Sequence, residues 1–130
     1  MTTKYPSQTT RYAGMYSKMY RTGKRFTVPA TGDRRRIQAL RRIGYTTVAI
    51  AAGTGLSPDF IRTVSQGREI RIGLAAHKRI GVFYEEHSWH PRIDTQAKKA
   101  ATYAKKWGWA PPGAWDDIDS ETDTPKGVLS

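Results

Sequence analysis

The 130-residue sequence predicts an all-α fold, a bundle of about five helices followed by an irregular Trp/Pro-rich C-terminal strap. Three observations lead to this prediction. Apolar residues recur at helical spacing in several segments, glycine or proline follows where each pattern stops, and no run alternates with the period of a β-strand. A chain of this length has room for one compact domain.

The first 30 residues form a basic segment rich in tyrosine and methionine. Its apolar residues fall at helical spacing between positions 8 and 21, which predicts a short amphipathic helix there. A flexible basic arm that becomes ordered only on binding explains the same residues equally well, and both interpretations stay open.

The next segment predicts three helices in succession. Thr31 or Asp33 can cap the first, which ends near Ile43. Thr46 can cap the second, which spans Thr47 to Gly53. The third begins at Ser57-Pro58-Asp59, an N-cap, N1 and first-turn signature, and runs to Gln66 before the Gly67 stop.

Two longer helices are predicted in the second half of the chain. Ile70 and Ile72 suit core positions before a helix that runs from Gly73 to about Ser88. Asp94 can cap a last helix, Thr95 to Trp107, whose inward stripe is expected to be Ala97, Ala100, Ala101, Ala104 and Trp107. The strap beyond it is expected to cover the core with tryptophan, and residues 119–130 to form a disordered acidic tail. The helical domain itself is expected to span residues 31–118.

Charge and composition indicate a polyanionic partner. Twenty-two Lys and Arg residues oppose 11 Asp and Glu, for a formal net charge of +11. Residues 116–123 hold five of the acids, so residues 1–115 carry 21 basic and only six acidic side chains. Such an excess in a small domain costs self-repulsion and favours nucleic-acid binding over a merely solubilising surface.

The segment from Thr47 to Gln66 has the most informative spacing. Two short helices that cross at a steep angle need a turn, usually with glycine, and a small residue where they touch. Gly55 suits the turn and Ala51 the contact, although Gly53 stands where a better helix former is expected. Four apolar residues suit the packing of one helix on the other: Ile50, Leu56, Ile61 and Val64. The segment therefore resembles a helix-turn-helix.

This resemblance implies that the second of the two helices enters the major groove of DNA. Its outward residues become candidates for base reading: Ser57, Asp59, Phe60, Arg62, Thr63 and Gln66. Arg62 can bond bidentately to guanine, Gln66 to adenine, and Asp59 to the amino group of cytosine. Thr63 can contact a base, a phosphate or a thymine methyl group.

Basic residues around this unit are expected to contact phosphates. Three consecutive arginines, Arg34–Arg36, oppose the dipole of their own helix, which costs roughly 0.3–1 kcal/mol each when they are exposed. A chain tolerates this more readily when the charges have an anionic target, although a solvated face is the alternative. The predicted phosphate-binding residues are Arg34, Arg35, Arg36, Arg41, Arg42, Thr46, Thr47, Arg68, Arg71, Lys78 and Arg79. Lys24 and Arg25 suit an arm that reaches into the minor groove.

Two further runs widen the resemblance. The run Gly32-Asp-Arg-Arg-Arg-Ile-Gln-Ala-Leu40 and the ending Trp107-Gly-Trp-Ala-Pro-Pro-Gly-Ala-Trp-Asp-Asp-Ile-Asp119 look like small DNA-binding proteins of actinobacteria and their bacteriophages. The similarity covers about residues 27–119. It implies a sequence-specific double-stranded DNA-binding protein, a phage transcriptional regulator or repressor, in the nucleoid-associated cytoplasm of a bacterial host.

Two other functions stay open. A non-specific architectural DNA binder would use the same basic faces, and a host-takeover protein would bind a bacterial protein through the Tyr/Met segment or the Trp-rich end. A homodimer on a palindromic site is open too.

The inventory of side chains argues against an enzyme. The sequence has no cysteine, which excludes disulfides and Cys-based zinc sites. His87 and His90 beside Glu86 are expected to be core and cap residues rather than metal ligands. No segment approaches the ~20 apolar residues of a membrane helix, and the N-terminus has no apolar signal-peptide core. We therefore expect no catalytic residue, cofactor, metal, small-molecule substrate or membrane partner.

Overall fold

A computed structural model describes residues 26–127 of the chain. Its elements in chain order are β1 (Thr27–Pro29), α1 (Thr31–Arg42), α2 (Thr47–Thr54), α3 (Pro58–Ser65), β2 (Arg71–Gly73), α4 (Leu74–His87) and α5 (Thr95–Lys106), with a 3₁₀ turn at Pro112–Ala114. The five helices predicted for this range are confirmed, with ends close to the predicted ones. The helix predicted between positions 8 and 21 lies outside the described residues.

The strands β1 and β2 correct the prediction of an all-α fold. They pair antiparallel, with Val28 opposite Ile72, and form a two-stranded sheet. Helices α1, α2 and α3 lie between the two strands along the chain. Strands of three residues are too short to display a period-2 pattern in the sequence. Ile72 is buried as predicted, but the prediction for Ile70 is wrong, because its side chain is 84% exposed at a bend before β2.

The core lies between α1 and the helices that surround it. Helix α1 packs against α3, α4 and α5. Five side chains are wholly buried and large: Ile37 and Leu40 of α1, Ile50 of α2, Ile61 of α3 and Ile80 of α4. Burial of each stabilises the fold by about 1.5–3 kcal/mol. Val64 is also fully buried, so two residues one turn apart hold α3 in its orientation.

Side-chain caps begin three of the helices as predicted. The Thr46 hydroxyl accepts a hydrogen bond from the Ala49 amide (3.0 Å), and the Ser57 hydroxyl accepts one from the Phe60 amide (3.1 Å). Asp94 caps α5 through the Ala97 amide at 2.9 Å. Each of these bonds satisfies an amide that would otherwise lack a partner at the start of a helix.

Helix α1 begins differently, so the predicted cap by Thr31 or Asp33 is wrong. Its N-cap is Ala30, which has no side-chain hydrogen bond. Asp33 is only 1% exposed and lies in the first turn. One of its carboxylate oxygens is 2.8 Å from Nδ1 of His77 on α4. The carboxylate therefore joins α1 to α4, where it also suits the positive end of the helix dipole.

Close packing between α2 and α4 explains why glycine stands at position 53. A Cβ atom there would lie 2.1 Å from the ring of Phe83, which is itself buried. The missing side chain lets α2 approach α4 closely, which explains the departure from a better helix former. The cost in helix propensity is about 1 kcal/mol relative to alanine.

The segment after α5 also differs from its prediction. The alanine stripe of α5 is buried at Ala97, Ala100 and Ala104, but Trp107 is 60% exposed rather than inward. Residues 119–127 lie against the folded domain: Arg35 donates hydrogen bonds to the carbonyl oxygens of Ser120 (2.6 Å) and Asp123 (3.3 Å). The expected disordered tail is therefore wrong for these residues, because carbonyl and carboxylate groups here meet arginines of α1.

Within residues 26–127, no helix combines the length and the apolar character needed to cross a membrane.

Candidate nucleic-acid interface

The unit formed by α2 and α3 positions the candidate site. Gly55 ends α2 in the left-handed region (φ 75°), and its amide donates to the Ala51 carbonyl at 2.9 Å. Only glycine adopts this conformation without strain. Leu56 and the Ser57 cap then lead into α3. The end of α3 is held from α1, since the Gln38 amide donates to the Ser65 carbonyl at 2.8 Å.

The outward face of α3 carries most of the predicted base-reading residues. Four of them are exposed: Ser57, Asp59, Arg62 and Gln66. The side chain of Arg62 is 52% exposed, and its guanidinium lies 2.6 Å from the carboxylate of Asp59. An exposed ion pair of this kind is worth less than about 1 kcal/mol. Arg62 can therefore exchange Asp59 for another acceptor at small cost.

Two of the predicted base-reading residues are less exposed than the other four. Thr63 is half-buried, and its hydroxyl donates to the Asp59 carbonyl at 2.8 Å. Phe60 is half-buried and packs against the core, so the structure gives it a packing role rather than the predicted one.

Three predicted phosphate ligands lie near the ends of α3. Arg34 of α1 reaches Gly67 just beyond α3. The Cδ of Arg34 lies 3.5 Å from the point that a Cβ atom on Gly67 would occupy. Arg79 of α4 reaches the turn before α3, because its Nη1 lies 3.1 Å from the point that a Cβ atom on Gly55 would occupy. Arg68 is exposed directly after the helix. Positive charge therefore flanks the helix at both ends.

The other predicted phosphate ligands on the surface are more dispersed. Arg71 is exposed on β2 and donates two hydrogen bonds of 2.9 Å to Thr27 of β1. Lys78 is half-buried on α4. Arg42 lines a separate cleft with Lys105 and Lys126. The hydroxyl of Thr46 is occupied by the helix cap, so the start of α2 can offer a phosphate only its backbone amides. Lys24 and Arg25 lie outside the described residues.

Arg35 and Arg36 are not available as the phosphate ligands that the sequence predicted. Arg35 is half-buried, with its guanidinium 4.2 Å from the centre of the Trp115 ring and its hydrogen bonds directed to the C-terminal segment. Arg36 forms a bidentate pair with Asp119, with both distances 2.7 Å, and its side chain is only 15% exposed. The correction has a simple cause: a segment that is distant along the chain folds onto these cations and offers backbone carbonyls to Arg35 and the Asp119 carboxylate to Arg36.

The Arg36–Asp119 pair shifts the protonation of both groups. Burial acts to lower the pKa of Arg36, but the hydrogen bond to Asp119 and the charges of Asp119 and Asp33 together raise it. The hydrogen bond from Arg36 likewise lowers the pKa of Asp119 below its ordinary value, against the opposing effect of burial. The pair is therefore fully charged at neutral pH.

Arg41 and Thr47 are also committed within the fold, which corrects their predicted role. Arg41 donates a hydrogen bond to the hydroxyl of Thr47, which is buried at the start of α2. Its guanidinium lies 4.9 Å from the ring centre of Tyr103 on α5. Burial lowers the pKa of Arg41; Tyr103 opposes this shift, and the like charge of Arg62 adds to it. These contacts place Arg41 between α2, α3 and α5.

The structure adds two aromatic residues to this surface: Trp107, which was predicted to point inward, and Tyr103, to which the sequence pattern assigned no role. A cleft of about 390 Å³ separates the end of α3 from the end of α5. Gln66 and Arg68 line one side, and Tyr103 and Trp107 the other. The sequence contained one indication of an aromatic residue near this cleft, the place of Trp107 in the alanine stripe, but that pattern predicted a tryptophan facing the core.

Among the histidines in the described range, His77 pairs with Asp33 and His87 serves packing, whereas His90 is exposed. His87 stacks on Phe83 with ring centres 4.0 Å apart, and its Nδ1 lies 2.8 Å from the Phe83 carbonyl. Between residues 26 and 127, no three His, Asp or Glu side chains come together as a metal site would require.

Comparison with protein families, curated proteins and solved structures finds no match to this chain. Function must therefore be inferred from the geometry and charge of the candidate interface.

Proposed function

We propose that this protein binds double-stranded DNA sequence-specifically through a helix-turn-helix formed by α2 and α3. The observation that carries the proposal is the orientation of α3. Ile61 and Val64 fix one face on the core, and Arg62 and Gln66 stand exposed on the other. In helix-turn-helix proteins the second helix presents such a face to the major groove.

The chemistry of this face suits base edges. Arg62 can donate two hydrogen bonds to guanine, Gln66 can pair with adenine, and Asp59 can accept from cytosine. Arg34, Arg68 and Arg79 stand near the two ends of the helix, where contacts with phosphate would set its register in the groove.

We propose a regulatory role, as a phage regulator or repressor acting in the cytoplasm of a bacterial host. The resemblance of two runs, 32–40 and 107–119, to small DNA-binding proteins of actinobacteria and their phages supports it. These runs contact one another, because Arg36 of the first pairs with Asp119 of the second. The two runs that carry the resemblance are therefore joined in the folded chain.

Selection of bound sequences from a random duplex pool at near-physiological salt tests the proposal. Arg62→Ala is compared with Arg92→Ala, a matched control, since Arg92 is also exposed and paired with a nearby carboxylate, that of Asp94 at 2.9 Å. We expect an enriched motif that only Arg62→Ala loses or relaxes. A palindromic motif would indicate two copies on one site.

Two outcomes would contradict the proposal. Binding without enrichment would indicate an architectural DNA binder, which weakens evenly on all sequences. No binding to any duplex would point to a protein partner instead.

A further inference from the structure

One face of α5 remains outside the proposed helix-turn-helix. It consists of four exposed residues at positions i, i+4, i+7 and i+8 of the helix and its C-cap: Lys99, Tyr103, Lys106 and Trp107. This spacing places them on one side of α5, and we call them the α5 stripe. The opposite side of α5 is buried against α1 through its alanines, so the stripe points outward.

The stripe lies next to the recognition face of α3. Tyr103 and Trp107 form one wall of the cleft whose other wall contains Gln66 and Arg68. Arg41 links the same tyrosine to Thr47 at the start of α2. The stripe therefore adjoins the end of α3, and Arg41 connects it through the interior to the start of α2.

The composition of the stripe favours a sugar-phosphate backbone as its partner. Two lysines supply positive charge, and two aromatic rings supply flat apolar surface beside it. The ring centres of Tyr103 and Trp107 are 6.1 Å apart, and Arg68 stands across the cleft. Contacts to phosphate and sugar position a protein on the duplex without reading its sequence, and these groups suit that task.

We propose that the α5 stripe is a second DNA contact, which holds the sugar-phosphate backbone next to the base pairs read by α3. The inference rests on the proposed function and adds a site to it. DNA that leaves the end of α3 would cross the cleft, with the rings against deoxyribose and Lys99 and Lys106 against phosphates. The stripe contributes affinity and orientation, while sequence preference stays with α3.

The test measures binding of the selected duplex over a range of salt concentrations. The variant K99Q/K106Q is compared with K98Q/K105Q, which removes the same charge from the same helix at residues off the stripe. Each lost phosphate contact lowers the slope of log affinity against log salt by about 0.9. We expect K99Q/K106Q to lower the slope by nearly 2 and the affinity more than tenfold at near-physiological salt, with a much smaller change in the control.

Trp107→Ala tests the aromatic part, with Trp89→Ala as control, because Trp89 is also exposed (77%) but lies in the turn after α4. We expect a several-fold loss of affinity and a shorter protected footprint on one side for Trp107→Ala alone. The enriched motif should stay unchanged in all four variants.

Equal effects of the two lysine pairs, or of the two tryptophan variants, would overturn the α5 contact and leave the proposed function intact, provided that Arg62→Ala still alters the motif. Absence of duplex binding by the wild-type protein would overturn both proposals.

Discussion

The first turns of α1 and the outward face of α3 both carry arginine, but they use it in opposite ways. Arg35 and Arg36 direct their guanidinium groups to residues 118–123 of the same chain. Arg62 pairs only with Asp59 among the described residues, and half of its side chain is exposed. A run of cations in a sequence therefore becomes a ligand-binding surface only where no acidic segment of the same chain folds onto it.

The contrast has an energetic side. Hydrogen bonds to a charged group that is partly buried contribute about 1.5–3 kcal/mol, because their loss leaves polar groups unpaired. An exposed pair within one helix contributes about 0.2–0.5 kcal/mol. Arg35 and Arg36 are thus expected to act on stability, and Arg62 on binding.

The largest expected effect comes from Arg35→Ala. Three backbone carbonyls, those of Ile118, Ser120 and Asp123, lose their donor, so we expect the free energy of unfolding to fall by about 2–3 kcal/mol. Urea denaturation measures this change. Arg62→Ala serves as the control, and its stability should remain within about 0.5 kcal/mol of the wild type. Equal stabilities of the two variants would break the contrast.

Phe60→Ala sharpens the contrast within α3 itself. Because this side chain packs half-buried against the core, we expect a loss of about 1–2 kcal/mol in unfolding free energy. The selected DNA motif should be unchanged at temperatures where the variant is folded. A changed motif with unchanged stability would restore Phe60 to the base-reading set.

The Arg36–Asp119 pair predicts a pH-dependent difference. The pKa of Asp119 is lowered in the folded state, so its contribution is present at neutral pH and is lost as the pH falls through that lowered value. We expect Asp119→Asn to reduce stability by a few tenths to about 1 kcal/mol at pH 7. Below about pH 4, near the ordinary value for aspartate, the difference should shrink.

Thermal unfolding of both proteins between pH 7 and pH 2.5 checks this prediction. Glu85→Gln provides the control, since Glu85 is an exposed acid of α4 outside the pair with Arg36. A difference that is constant with pH would exclude a contribution from the charge of Asp119.

The smallest effect on stability is expected from Asp59→Asn, which releases Arg62. Stability should change by less than about 0.5 kcal/mol, while affinity for unselected duplex DNA should rise a few-fold, because one negative charge leaves the surface that is proposed to face the polyanion. Filter binding at two salt concentrations measures this change. Weaker binding to every duplex would instead show that Asp59 holds Arg62 in its binding position.

The local elements of the fold could be predicted because their causes are local. Ser57 and Thr46 accept hydrogen bonds from amides three residues ahead, and Gly55 turns the chain at its own φ angle. The core face of α3 followed from the helical spacing of Ile61 and Val64. The exposed face, with Arg62 and Gln66, followed from the same period.

What the sequence by itself determined is therefore the position of each helix within residues 26–127, the caps of α2, α3 and α5, and the direction of the apolar face of α3. Only the tertiary structure decided which charges and rings remain available to a partner. Asp119 lies 83 residues after Arg36, and the cleft brings Trp107 beside Gln66. Such pairings depend on how whole helices pack, because a side chain is neutralised or covered by its neighbours in space, and those neighbours are distant along the chain.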